Sequence, residues 1–96
     1  MITAAEARKQ TQEQIQRIAK ETIVNKLGPE IEKQTSRGKY TASIDIGDTP
    51  NPLEIGNAMK KILTEQYGYT TKFTYCEEYR AEYTVTVGWS LSRALK

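Results

Sequence analysis

Histidine is absent from these 96 residues, and cysteine occurs once, at Cys76. Without histidine the chain lacks the commonest general base and the commonest metal ligand. It also has no Ser-His or Cys-His pair with which to activate a nucleophile. One thiol cannot close an intrachain disulfide or assemble the Cys/His set of a structural zinc site. Long apolar runs are missing too, so nothing reads as a bilayer span, and the N-terminus has no signal-peptide core. These absences predict a cytosolic protein that is not an enzyme and that carries no cofactor and no metal.

Charge of one sign is also in short supply. Fourteen Lys and Arg offset twelve Asp and Glu, for a formal net charge of +2. Basic and acidic residues are interspersed, whereas tight nonspecific nucleic-acid binding calls for clustered cations. Glycine-rich phosphate loops are absent, since Gly47, Gly56 and Gly68 stand isolated. Asp45, Asp48 and Glu54 lack calcium-loop spacing and read instead as a turn followed by a helix cap. Glu77-Glu78 is a carboxylate pair, but adjacent residues in a turn do not share a dry site in which their pKa values would separate.

The residues that are present specify one domain over 1–96. Thr3-Ala4-Ala5-Glu6 is a capping-box sequence, and strong helix formers follow without Gly or Pro until Gly28. Ile15, Ile18, Ala19, Ile23, Leu27 and Ile31 form one apolar stripe at spacings of three and four. Gly28-Pro29 predicts a kink, or a second short helix over 29–36, because proline disrupts a helix interior but suits a first turn. Gly38 is placed to close that segment with a left-handed residue. Tyr40 to Ile46 alternates as a strand, with Tyr40, Ala42, Ile44 and Ile46 on one face. Asn51-Pro52 with Glu54 starts another helix, whose stripe is Ile55, Ala58, Met59, Ile62, Leu63 and Tyr67.

Gly68 to Trp89 reads as a β-hairpin turning at Glu77-Glu78-Tyr79, with Tyr83, Val85, Val87 and Trp89 toward the core. Leu91 to Lys96 is expected to fray. The fold class is α+β: a long N-terminal helix kinked at Gly28-Pro29, then strand–helix–strand–strand. The first two strands are expected to run parallel in sense and the third antiparallel, as a three-stranded mixed sheet covered by helices on one face. Thr41, Ser43, Thr70, Lys72, Thr74, Cys76, Glu82, Thr84 and Thr86 fall on the other face, which is either solvated or an oligomer contact.

The opening Met1-Ile2-Thr3-Ala4-Ala5-Glu6-Ala7-Arg8 resembles the start of small accessory proteins of tailed bacteriophages and prophages. The likeness continues through the polar helix, the junctions Gly38-Lys39-Tyr40-Thr41 and Gly68-Tyr69, and the closing Val85-Thr86-Val87-Gly88-Trp89-Ser90. Gly28-Pro29 departs from the single unbroken helix usual in such proteins. The resemblance implies a phage product that works by binding in the host cytoplasm. Some proteins of that kind inhibit bacterial defence, either by sequestering a nucleotide signal in small oligomers or by blocking a defence protein.

A small virion structural or assembly protein is the alternative, and a nucleic-acid-binding accessory protein the third reading. Lys72, Tyr75, Tyr79 and Arg80 at the hairpin end are the candidate ligand site: the cations for a phosphate, a tyrosine to stack on its base. The expected partner is a second copy of the chain, met through the N-terminal helix, the Thr-rich sheet face or both. A thin supply of large aliphatic residues favours sharing buried surface in this way.

Overall fold

A computed structural model describes residues 1–76 and 82–90. Helix α1 (Ala4–Thr22) starts at the predicted capping box. The Glu6 amide donates to the Thr3 hydroxyl, and the Thr3 amide donates to the Glu6 carboxylate, both at 3.1 Å. The Thr3 amide and, after it, the Thr3 hydroxyl, both donating to the Glu6 carboxylate, hold that carboxyl below its ordinary pKa.

The chain does not leave helical conformation at Gly28-Pro29. It passes through a π-helical turn, Ile23–Leu27, directly into α2 (Gly28–Ser36). The Gly28 amide donates to the carbonyl of Ile23, five residues back. Pro29 has no N–H for the carbonyl of Asn25 and its ring would crowd that group, so widening the turn relieves the clash without ending the helix. The wide turn also serves the stripe. At about 100° per residue, Ile15, Ala19, Ile23, Leu27 and Ile31, each four apart, would drift by about 160° around a straight α-helix. A turn holding more residues cancels part of that drift. Ile15, Ala19, Ile23 and Leu27 are all buried, and Ile31 packs against the core.

At the end of α2, Gly38 takes φ 75°. Lys39 N–H reaches the Gln34 carbonyl at 2.9 Å and Gly38 N–H that of Thr35 at 3.0 Å, the two bonds of a Schellman cap.

Strand β1 (Thr41–Asp45) leads through a short loop to α3 (Pro52–Glu65), which is capped by Asn51. Strands β2 (Thr70–Cys76) and β3 (Glu82–Gly88) follow. The sheet order is β1-β3-β2. The first two strands are parallel in sense, as expected, but β3 lies between them and pairs antiparallel with both. The sheet is therefore antiparallel throughout rather than mixed. Burial explains the order: Tyr83, Val85 and Val87 are all buried on β3, whereas β2 offers half-buried Phe73 and exposed Tyr75. The most apolar strand takes the best-covered position.

Helix α3 lies over β2 and β3, with α1 beside it, while the π turn and α2 pack against β1. Leu27, Ile46, Ile55, Met59, Leu63, Val85 and Val87 are fully buried between the layers. Burying side chains of this size stabilises by about 1.5–3 kcal/mol each. Two tyrosines expected inside are outside. Tyr67 is exposed because α3 stops at Glu65 and Gly68, at φ 75°, turns the chain away; Tyr40 is exposed just ahead of β1. Trp89 is half-buried, edge-on to Tyr69 at 6.0 Å. The predicted hairpin turn and the C-terminal hexapeptide lie outside the described residues.

Two contacts fix how the layers meet. Gly56 faces Phe73 so closely that a Cβ there would sit 2.3 Å from the ring. Lys26, on the π turn, donates to both carboxylate oxygens of Asp48 at 3.0 and 3.1 Å, and to the Asp45 carbonyl at 3.4 Å. The hydrogen bond and charge of Lys26 hold the Asp48 carboxyl below its ordinary pKa.

Gly56→Ala should destabilise the protein by about 1–3 kcal/mol through overpacking, more than the roughly 1 kcal/mol of helix propensity it gains. A lowered urea midpoint checks this, and adding Phe73→Leu should recover part of the loss. For Asp48, a depressed folded pKa means that its contribution is present above the ordinary carboxylate range and is lost as pH falls through it. Asp48→Asn should therefore lower Tm slightly at neutral pH, on the scale of an exposed ion pair, with the difference closing at acid pH.

Candidate functional site

The sequence places Lys72 and Tyr75 together; the structure places them on opposite faces of the sheet. Lys72 pairs with Thr86 and Thr74 with Thr84, so residues 72 and 74 share the open face while 73 and 75 point to the helices. Lys72 stands exposed beside the hydroxyl pair Ser43–Thr86, whose oxygens are 2.8 Å apart. Tyr75 stacks on Tyr83 at 6.2 Å and leans on Phe73 at 5.6 Å, with about half its surface exposed. Lys72 and Tyr75 thus project from opposite faces of the edge strand β2. Tyr79 and Arg80, the other two members of the expected site, lie outside the described residues.

The Thr-rich open face does form. Its rows read Thr41–Gly88–Thr70, Ser43–Thr86–Lys72 and Asp45–Thr84–Thr74. Two strands of seven residues and one of five, about 4.8 Å apart, give this face about 300 Å² in projection.

The helix stripe faces the chain's own core. Ile15, Ala19, Ile23 and Leu27, the apolar surface on which the expected subunit contact rested, are buried within the chain itself. What α1 leaves free is its first half: residues 4–14 are exposed apart from half-buried Ala7, a polar arm standing off the body.

Between this arm and α3 runs an open groove of about 560 Å³. Lys9, Glu13 and Gln16 wall one side and Glu54, Asn57 and Lys61 the other, with Ile15 and Ala58 among the lining residues. Helix geometry assembles it, because positions 9, 13 and 16 lie on one face of α1, and 54, 57 and 61 on one face of α3. The result is a polar trough with one lysine and one carboxylate on each wall. The apolar stripe drew attention to the buried side of both helices, and the polar residues beside it read as ordinary solvated surface. Their recurrence at three, four and seven residues was the available signal.

The three carboxylates weighed for a cation are held apart by local bonds. Asp45 accepts from the Gly47 amide at 2.8 Å, Asp48 is clamped by Lys26, and Glu54 accepts from the Asn51 side chain at 2.7 Å. Among the described residues no cluster of three His, Cys, Asp or Glu forms a metal site, and no helix is long and apolar enough to cross a membrane. No protein-family model matches the chain, and no curated protein or solved structure is detectably similar to it.

With cation and ring on opposite faces, Lys72→Ala and Tyr75→Ala should each leave calorimetric titrations with nucleotides unchanged. A loss of binding in both variants would restore the hairpin end as one site.

Proposed function

We propose that this chain is a phage-encoded, non-enzymatic binding protein that inhibits a host antiviral defence in the host cytoplasm by blocking a defence protein. The observation that carries the reading is the charged groove between the α1 arm and α3. Its two walls carry matched lysines and carboxylates, so a partner surface of alternating charge meets complementary groups along its length. Glu13 and Glu54 oppose the phosphates of a nucleotide signal at the same positions where Lys9 and Lys61 would attract them. Between sequestering such a signal and blocking a protein, this balance favours the protein. The arm adds a long, narrow, polar contact surface. With α1, the π turn and α2, the helical path runs about 50 Å, matching the molecule's longest dimension of 52 Å.

Expressed in a host that restricts phage, the chain should raise plating efficiency, and reversing the groove charges with Lys9→Glu and Lys61→Glu should abolish the effect while leaving Tm close to the parent's. Native mass spectrometry of the purified chain should show no retained nucleotide. Stoichiometric presence in purified virions with no effect on plating would instead make it a structural protein.

A further inference from the structure

β2 is one of the two outer strands of the sheet. β2 is seven residues long, contains no proline, and carries one charge, Lys72. Among the described residues no strand pairs with its outer edge. The opposite edge is better guarded: β1 has five residues, and Lys26 reaches the carbonyl at its end. An edge of this length, rich in threonine and aromatics, is a template for a further strand.

We propose that two copies of the chain pair antiparallel through β2, joining their sheets into one of six strands. The strand's own sequence selects this partner and register. An antiparallel pair of identical strands about a two-fold axis matches residue i with a residue of the same facing in the other copy. Overlap of all seven residues occurs in one register, centred on Phe73. There Thr70 faces the partner's Cys76, Thr71 the partner's Tyr75, and Lys72 the partner's Thr74. Moving the centre to Lys72 would set the two lysines against each other, which cross-strand pairing penalises. Lys72 thus discriminates between registers and leaves the full-length one free of like charges.

The side chains and layers fit the same arrangement. Tyr75 has one face on the Phe73 and Tyr83 rings and about half its surface exposed; pairing places the partner's Thr71 against it. Both helix layers fall on one side of the joined sheet. With α3 over β2 and β3, the two copies of α3 would stand about 10 Å apart, two strand spacings. That is the 8–10 Å at which packed helices touch, so joining the sheets also sets the two α3 helices against each other. The main-chain hydrogen bonds of the new ladder carry the association, so it does not depend on the small Thr-rich face.

Sedimentation velocity of the reduced, full chain from micromolar to millimolar concentration should resolve a monomer–dimer equilibrium. Thr74→Glu sets a carboxylate opposite the partner's Lys72 twice per dimer and should tighten the dimer about 2- to 30-fold, while Thr74→Lys should weaken it by a similar factor. Position 74 is exposed, so both variants should keep the parent's circular dichroism. A single cysteine substitution tests the register. T70C puts a second thiol opposite the partner's Cys76, and oxidised glutathione, taking up the two electrons, should link the copies covalently. T70C with C76S should not crosslink, because its thiols would lie about 20 Å apart along the strands. A chain monomeric throughout, equal effects of Glu and Lys at 74, or equal crosslinking with and without Cys76 would overturn the proposal. None of these measurements involves a host component, so their outcome is separate from that of the plating assay.

Discussion

The positions from Ile15 to Ile31, each four residues from the last, must all face one sheet, and the π turn at Ile23–Leu27 is what permits it. A straight helix would carry the lower half of that stripe around to solvent. The turn also resolves the Pro29 problem in place, so one helical path covers the sheet and still extends past it as an arm. It further sets Lys26 where it can hold the loop between β1 and α3. Direction of the helix, cover for the sheet and anchoring of the loop all descend from this one widened turn.

Covering only one face divides the molecule's surface by chemistry. The helix-side rows hold the aliphatic core and the Phe73–Tyr75–Tyr83 rings, and the other side is hydroxyl-rich and open. Strand parity assigns each residue to one side, so cations and rings close in sequence end up a sheet's thickness apart. Polar residues distant in sequence meet instead where α1 and α3 run side by side. The groove belongs to helix packing, and the edge belongs to strand order.

Much of the fold was legible in the residues. The capping box at Thr3–Glu6, the Gly38 and Gly68 stops, the Asn51 cap and the alternation of β3 all rest on local chemistry, which acts at short range and leaves a short-range signature. The middle position of β3 was not legible, because strand order depends on competition for cover among strands that alternate alike. The π turn was half legible: Pro29 announced a disturbance, but a run of steps of four is the clue that the helix widens instead of breaking. Tyr67 and Tyr40 were misplaced because each sits just outside an element whose periodicity extends to it, Tyr67 two residues past α3 and Tyr40 one before β1. The groove was hidden for a different reason, since lysines and glutamates at helical spacing look the same whether or not another helix lies alongside.

Trp89 closes β3 at the end of the sheet where β2 begins, its ring against Tyr69 and its amide on the Tyr40 carbonyl. It is the chain's one tryptophan. Its fluorescence therefore reports on that corner of the sheet and hardly at all on the arm, whereas far-ultraviolet ellipticity is dominated by the helices. Coincident denaturation curves from the two signals would mean that arm and body unfold as one cooperative unit. An earlier ellipticity change would mark the arm as a separate, weaker unit, held by its Thr3 cap and its own helix propensity with no core beneath it. A single ring at the edge of the sheet thus turns the molecule's asymmetry into two independently readable signals.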